Sequence, residues 1–285
     1  MNLITTETAR RLFKKYPFIK SKSAFKNFLK PFFPDKLSPL EIHPGLNLHL
    51  DYFRHNERVF WSYEEIEAPL QFYIDHYLPL NANFIDCGAH TGLIGFLASR
   101  RKNARVVLIE ARQEVCDILQ QSLDGNPALA KHCQLIRKPC ALNTDDRFSG
   151  SDCITLKAVI ESFQGRIDFL KVDVDGPDFE VLSSAGDKLT PDQVTAIFIE
   201  IPPSNEESIQ FLRNKGYKAF VSRRMVMKEI KSLYRPLIER DCFARLIIPH
   251  PHKTRSENIL FLADGHPLEK FLSEWCDDFR DVSWQ

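Results

Sequence analysis

Apolar and polar residues follow a repeating pattern along most of the chain. From Asn83 onward, short apolar runs are separated by stretches in which apolar residues recur at helical spacing. Continuous apolar runs are typical of strands buried on both faces, and strands that alternate with helices predict a parallel sheet covered on both sides. We therefore predict a doubly wound α/β fold with a mostly parallel sheet. The predicted strands are 84–86, 106–109, 134–136, 167–172 and 194–199, with later candidates at 217–221 and 258–262.

The chain on either side of this pattern reads differently. After a proline-marked boundary at 31–44, residues 46–53 alternate like a half-buried strand, and a helix is expected from about 64 to 77. Residues 223–256 are rich in Arg, Lys and Pro and are too long for a plain connection, so we expect a lid or substrate wall there. The predicted organisation is a basic helical extension at 1–44, an α/β domain at 45–265, and a C-terminal helix and tail at 266–285.

Residues 1–36 are strongly basic. Nine Lys and Arg residues oppose two acidic residues, and apolar residues are interleaved with them at roughly helical spacing. Such a segment has an apolar stripe beside a cationic one. It can dock on its own domain or on a partner, or it can lie on a membrane surface, and the sequence leaves both open. An oligomer is compatible with either interpretation.

Charge and cysteine usage exclude several classes of protein. Lys plus Arg equals Asp plus Glu at 38 each, so no overall field attracts nucleic acid or an anionic membrane. The seven cysteines include no C-x-x-C pair, which argues against both a zinc site and a disulfide framework. No run approaches the roughly 18 apolar residues of a membrane span. We expect a soluble cytoplasmic protein without a metal site, with peripheral membrane binding left open.

A glycine turn follows the first strand of the repeating pattern. The strand reaches Asp86 and continues through Gly88, Ala89, His90 and Gly92 into an apolar helix. Glycines permit strained turn angles and close approach to a ligand at the carboxyl end of a strand. Asp86 can accept hydrogen bonds from an ammonium group or through water. Such a turn is a weak signal alone, because ordinary strand-to-helix connections also use glycine.

Glu110 ends the next strand and strengthens the case for a nucleoside site. An acid at this place can bind the two hydroxyls of an adenosine ribose. A dinucleotide site has the pattern G-x-G-x-x-G, whose middle glycine lets a pyrophosphate rest on the helix. Here His90 stands at that position, between Gly88 and Gly92. A side chain there disfavours a pyrophosphate, so we predict a phosphate-free adenosyl ligand such as S-adenosylmethionine.

A third polar cluster follows the buried strand at 167–172. Lys171, Asp173 and Asp175 stand at its end, before a helix for which Pro177 suits the first position. Carboxylates and an ammonium group at one place perturb each other's proton affinities, which can create a general base for a substrate hydroxyl. The alternative is a helix-capping acid beside a surface acid. Glu200, after the next strand, is a weaker candidate base.

Together these motifs resemble the FkbM family of methyltransferases. The likeness covers residues 45–265 and is most specific at 171–182. It implies a seven-stranded class I methyltransferase sheet, S-adenosylmethionine as methyl donor with S-adenosylhomocysteine as product, and O-methylation of a sugar, glycan or secondary metabolite. The sequence departs from the family at four positions. His90 stands where Asn is usual, Asp175 replaces Glu, Lys157 replaces Asp, and Pro202 stands where His is frequent.

The resemblance also assigns residues to the two halves of the site. The methionine half of the donor would be lined by the glycine turn, the ribose would be held at the end of the second strand, and the adenine would lie near Cys140 and Ala141. The cofactor residues are Asp86, Gly88, Ala89, His90, Gly92, Glu110, Ala111, Cys140, Ala141 and Asp173. The candidate catalytic residues are Asp173, Asp175, Lys171 and Glu200.

Three alternatives stay open at this stage. The fold could serve as a non-catalytic binding or assembly module that docks through residues 1–36. A nucleic-acid methyltransferase is less favoured, because the place of its N/D-P-P-Y/F motif here reads Asp-Val-Asp-Gly-Pro-Asp from Asp173. His90 is an alternative base, since histidine titrates near neutral pH. We expect a small-molecule or glycan acceptor and no nucleic acid.

Overall fold

The computed structural model describes residues 37–43, 45–51, 68–141, 152–201, 206–222, 243–245 and 257–269. The strands within these ranges are β1 (Leu37–His43), β2 (Leu46–Asp51), β3 (Asn83–Cys87), β4 (Arg105–Ile109), β5 (Cys133–Ile136), β6 (Phe169–Val172), β7 (Ala196–Ile201), β8 (Lys218–Ser222), β9 (Phe243–Arg245) and β10 (Glu257–Leu262). The helices are α1 (Ala68–His76), α2 (Leu93–Lys102), α3 (Gln113–Asp124), α4 (Pro127–Ala130), α5 (Leu156–Glu161), α6 (Asp178–Ser183) and α7 (Glu206–Asn214).

Eight of the described strands form one sheet in the order β5-β4-β3-β6-β7-β10-β8-β9. The five strands from β5 to β7 are parallel, and β10 runs antiparallel to both β7 and β8. The predicted doubly wound, mostly parallel α/β fold is therefore confirmed. The eighth strand, β9, pairs with β8 at the edge. It was not predicted, because three residues are too few to show a period.

The two faces of the sheet carry separate apolar cores. Phe84 belongs to the cluster that contains buried residues of α1, α2 and β2, whereas its neighbour Ile85 belongs to the cluster that contains α5, α6 and α7. Val106 and Val107 on β4 divide in the same way. Successive residues of a strand point to opposite faces, so a sheet covered on both sides needs apolar residues at every position. This explains the continuous apolar runs in the sequence.

A hairpin of β1 and β2 lies outside the main sheet and packs through β2 on α3. The Asn126 side chain accepts from the backbone N–H of Asn47 at 3.1 Å, and Ser122 Oγ accepts from the N–H of His49 at 2.9 Å. The apolar residues of β2 are fully buried, which confirms the predicted half-buried strand; they are Leu46, Leu48 and Leu50.

β1 was missed in the sequence because its prolines were interpreted as a boundary. Pro39 lies within the strand, opposite His49 of β2. A proline removes one backbone donor, and an edge strand tolerates that loss. The boundary predicted at 44 therefore divides the two strands of one hairpin.

Several predicted features lie outside the described residues. These are the basic segment 1–36, the start of the helix expected from about 64, most of 223–256, and the tail beyond 269. α1 confirms the later part of that helix. Of the predicted lid, only β9 is described. In the described part of the chain, no helix is both long and apolar enough to cross a membrane.

Candidate active site

The candidate residues meet at one edge of the sheet, where the order of the strands reverses. The chain proceeds outward from β3 to β5 and then returns to the other side of β3 with β6. Cys87 is paired with both Ile109 and Val172, so the residues that follow these three strands begin at the same level. In doubly wound sheets, the crevice at such a switch point is where ligands bind. Gly88, Glu110 and Asp173, each of which follows one of these strands, therefore lie near one another.

The glycine turn is shaped mainly by contacts within the protein. Gly88 has a φ of 80°, and a Cβ atom there would lie 1.8 Å from the backbone oxygen of Asp173. Gly92 has a φ of 76°, and a Cβ atom there would lie 2.5 Å from Leu119. The sequence attributed these glycines to close approach of a ligand. The structure adds a different reason, since at both positions the space of a side chain is already filled by the protein.

His90 holds a strained backbone conformation that supports Glu110. Its φ is 48°, in the left-handed region that is uncommon for residues other than glycine, although Asn, Asp and His adopt it more often than most. Its backbone N–H donates to Glu110 Oε2 at 3.1 Å. Arg112 donates to Glu110 Oε1 from its backbone N–H at 3.0 Å and from its side-chain Nε at 3.2 Å. The Glu110 carboxylate is therefore fixed in place beside the exposed Ala111.

A buried ion network occupies the centre of the site. Lys171 Nζ lies 3.5 Å from Asp86 Oδ1 and 3.2 Å from Asp173 Oδ2, and it donates to the backbone oxygen of Gly88 at 3.3 Å. Asp86 is 1% exposed, and its Oδ2 accepts from the backbone N–H of Gly95 in α2 at 3.2 Å. Burial raises the pKa of Asp86, and the ammonium of Lys171 opposes that rise. Asp86 thus faces α2 and Lys171 in this structure.

Asp173 and Asp175 differ in their surroundings. The Asp173 side chain is 27% exposed and is paired with Lys171. Asp175 lies on the exposed outer part of the turn, with a φ of 57°. Only Asp173 therefore combines a fixed position in the crevice with access to a ligand.

The acid that organises the turn before α6 is Asp178, which the sequence analysis did not single out. Its carboxylate accepts from the backbone N–H groups of Val174 and Gly176, both at 3.1 Å. Burial raises the pKa of Asp178, while these two donors oppose the rise. The helix begins at Asp178, so Pro177 precedes its first residue. An acid directly after Gly-Pro at a helix start is the signal that could have revealed it.

Cys140 and Ala141, expected near the adenine, follow β5 and are buried. Cys140 forms a parallel bridge with Ile154, and the N–H of Ala141 donates to the oxygen of Ile154. The Cys140 thiol is hydrogen bonded to the thiol of Cys87, which raises the pKa of Cys87 together with burial. Both residues are thus enclosed by the protein after the carboxyl end of β5, and their place near the adenine stays a prediction.

Two further residues, Glu200 and Lys157, lie on elements other than β3, β4 and β6. Glu200 is half-buried near the end of β7, one position after Ile199, which pairs with Val172. Lys157, one of the four departures from the family, lies on α5 and forms a surface ion pair with Asp187, which raises its pKa. Pro202 lies outside the described residues. No group of His, Cys, Asp and Glu in the described ranges could hold a metal ion.

The charges of the site suit a cationic donor without phosphates. Three carboxylates, those of Glu110, Asp173 and Asp86, face two cations here, since Arg112 pairs with Glu110 and the buried Lys171 faces Asp173 and Asp86. A pyrophosphate would meet this excess of negative charge, whereas a sulfonium or ammonium group is attracted to it. The arrangement therefore fits S-adenosylmethionine, with Glu110 for the ribose and the turn at 88–92 for the methionine half.

Comparisons with known proteins give one family match and several similar solved structures. Residues 86–219 match the methyltransferase FkbM domain. Similar solved structures include the methyltransferase domain of METTL16. It is 11% identical over 90% of this chain and 80% of its own, with a TM-score of 0.47. Precorrin-6y C5,15-methyltransferase from Geobacter metallireducens GS-15 is 12% identical over 68% of this chain and 85% of its own, with a TM-score of 0.42.

M. capricolum TrmK, solved with S-adenosylhomocysteine, is 9% identical over 72% of this chain and 71% of its own, with a TM-score of 0.43. At such identities and TM-scores, these likenesses do not bear on the methyl acceptor. No curated protein matches the sequence.

The matched domain contains every part of the site described above. It begins at Asp86, includes Glu110 and the cluster at 171–178, and extends into β8. Residues 86–219 are therefore similar to the FkbM family of methyltransferases, and this match indicates S-adenosylmethionine as the methyl donor.

Proposed function

We propose that this methyltransferase transfers the methyl group to a hydroxyl oxygen of a sugar, glycan or secondary metabolite, with Asp173 as the general base. The observation that carries the proposal is the Asp173 carboxylate, which is partly exposed at the switch point and is held by Lys171 at 3.2 Å. A neutral hydroxyl must lose its proton when it is methylated, so an O-methyltransferase benefits from a fixed acceptor of that proton.

The ion pair does not disqualify Asp173 as a base. A hydroxyl oxygen that is accepting a methyl group becomes strongly acidic, so even a weakly basic carboxylate can take its proton. The fixed position matters more, because catalysis of this transfer depends on aligning the acceptor oxygen with the donor. Glu200, at a neighbouring strand end, is the second candidate for this role.

The chain's own residues then have separate tasks. Glu110, fixed by His90 and Arg112, holds the ribose. Bound S-adenosylmethionine supplies a methyl group already activated by a sulfonium. Asp173 orients the acceptor hydroxyl and takes its proton as the new carbon–oxygen bond forms. The wall of the acceptor site is expected from 223–256 and the N-terminal segment.

The experiment is a transfer assay with S-adenosylmethionine that is radiolabelled in its methyl group. The protein is incubated with separate fractions of small hydroxylated metabolites, glycans and nucleic acids. We expect label in one of the first two fractions, in a product that survives mild alkali, because methyl ethers survive it and methyl esters do not. Label only in nucleic acid, or only in alkali-labile products, would contradict the proposal.

Asp173→Asn and Asp175→Asn form a matched pair for the base. Asp173→Asn is expected to lower the transfer rate by about 10²-fold or more, while S-adenosylhomocysteine affinity stays within a few-fold. Asp175→Asn, on the exposed outer part of the turn, should retain most of the rate. If Asp173→Asn keeps full turnover, Asp173 is not the base, and Glu200→Gln becomes the next variant to measure.

A further inference from the structure

Lys171 links three separate parts of the donor site. It lies on β6 and is 4% exposed. Its Nζ faces Asp86 at the end of β3, the backbone oxygen of Gly88 in the turn, and Asp173 at the end of its own strand. A buried ammonium group that contacts acceptors on two strands and a turn restricts the relative positions of all three.

Of the groups that contact Lys171, Asp86 is the one whose buried charge depends most on the ammonium. Asp86 is almost completely buried, and its Oδ1 accepts no hydrogen bond among the described residues, so the ammonium at 3.5 Å is its compensating charge. Its other oxygen accepts from Gly95 in the first turns of α2. A buried charge left without its partner costs far more than the pair contributes. Loss of Lys171 would therefore disturb both the Asp86 carboxylate and the start of α2, which Asp86 contacts through Gly95.

We propose that Lys171 is a positioning residue of the methyl-donor site, which neutralises Asp86 and thereby fixes the Gly88 carbonyl against the methionine half of the donor, while it also holds the Asp173 carboxylate in the crevice. The inference rests on the proposed function for the role of Asp173. It assigns Lys171 no contact with the acceptor. Glu110 lies on the other side of β3 from Lys171, since β4 and β6 flank β3 on opposite sides, so the ribose site should be affected less than the methionine half.

The test compares two ligands that share the adenosine half. S-Adenosylhomocysteine carries the amino-acid half, and 5′-methylthioadenosine lacks it. In calorimetric titrations, Lys171→Met is expected to weaken S-adenosylhomocysteine binding by about tenfold or more and methylthioadenosine binding by less than about threefold. Lys157→Met, which breaks an exposed ion pair on α5, is the control and should change neither affinity.

A second variant separates charge compensation from packing. Lys171→Met combined with Asp86→Asn has no buried charge to compensate, so it should bind S-adenosylhomocysteine more tightly than Lys171→Met alone. The affinity of Lys171→Met should also rise between pH 8 and pH 5.5, because a proton on Asp86 replaces the missing ammonium. A residue that only fills space predicts neither the rescue nor the pH dependence.

The outcomes are distinct. Unchanged affinity in Lys171→Met, equal losses for both ligands, or no rescue by Asp86→Asn would overturn the role of Lys171 while leaving the proposed function standing. Failure of the unaltered protein to bind S-adenosylhomocysteine would overturn the donor assignment and this inference with it. If Lys171→Met does not fold, a folded double variant supports the inference, and failure of both to fold overturns it.

Discussion

Individual residues of the site are held in place by hydrogen bonds within the protein. The Glu110 carboxylate receives three hydrogen bonds, and one of them comes from a residue in a strained conformation. Strain at such a position persists only when the surrounding structure compensates for it. The crevice is therefore preorganised on its ribose side, and substitutions there should separate the effects of backbone conformation from those of side-chain chemistry.

His90 provides the first test of this separation. His90→Asn should keep the turn, because asparagine tolerates a positive φ, whereas His90→Val should lower stability by about 1–2 kcal/mol and weaken S-adenosylhomocysteine binding. Thermal unfolding and calorimetry measure the two effects. Asn81→Val is the control, since Asn81 has a φ of 59° outside the site and its change should affect stability alone. Retained methyl transfer in His90→Asn would also exclude His90 as the base.

Gly88 gives a second prediction at the residue scale. In Gly88→Ala, the new methyl group would lie on the backbone oxygen of Asp173, so β6 or the turn must move. We expect a loss of donor affinity of about tenfold or more, since small displacements of positioning groups have effects of this size. Gly165→Ala has a similar positive φ with open space around it, and should retain the affinity. Equal affinities of the two variants would contradict the prediction.

At the scale of elements, the short helix α6 depends on the turn that leads into it. Asp178 closes this turn by accepting from two backbone donors, at a buried position where its pKa is raised. A carboxyl whose folded pKa is raised favours the folded state more when it is protonated. Its contribution to stability is therefore largest at acid pH and is lost as the pH rises through the folded pKa.

Asp178→Asn removes this titration. The free energy of unfolding of the unaltered protein, measured relative to Asp178→Asn by urea denaturation, should increase from pH 7 towards pH 4. The increase should level off near the ordinary aspartate pKa of 3.8. Asp187→Asn is a useful contrast, because the Lys157 ion pair lowers the pKa of Asp187 on the surface, and the sign of any change is reversed. A difference for Asp178→Asn that shrinks on acidification would contradict the assignment.

At the scale of the whole molecule, donor binding should stabilise the folded state. Its effect on hydrogen exchange should be strongest at the edge of the sheet that carries the site. S-Adenosylhomocysteine at one hundred times its dissociation constant should raise the free energy of unfolding by about 2.7 kcal/mol. Hydrogen exchange should slow at 86–92, 110–112 and 171–178. Residues 164–166 precede β6 at the opposite edge and should be little affected. Protection confined to that opposite edge would contradict the location of the site.

The sequence predicted the sheet better than it predicted the details of the site. Every parallel strand was found. Burial on both faces imposes apolar residues on runs such as Phe84 and Ile85, whereas the edge strand β5 is only partly buried. β1 was missed because Pro39 is a boundary signal in most contexts and an edge-strand residue here. The role of Asp178 and the inward orientation of Asp86 depend on contacts with Gly176 and Gly95, and spacing along the chain does not reveal such contacts.

The net charge is zero, but basic and acidic residues are unevenly distributed along the chain. Residues 1–36 hold nine of the 38 basic residues and two of the 38 acidic ones, so the rest of the chain has seven more acidic than basic residues. This acidic remainder contains the donor crevice. The basic segment thus has an oppositely charged surface available on its own chain as well as on a partner or an anionic membrane, and all three remain predictions.

The position of β10 has a consequence for synthesis. β10 lies between β7 and β8 and pairs with both, although it follows them in the chain. Until residues 257–262 have left the ribosome, β7 and β8 each present an unpaired, apolar edge to the cell. Chains that terminate before this strand cannot close the sheet, so they should be aggregation-prone and should accumulate as chaperone clients.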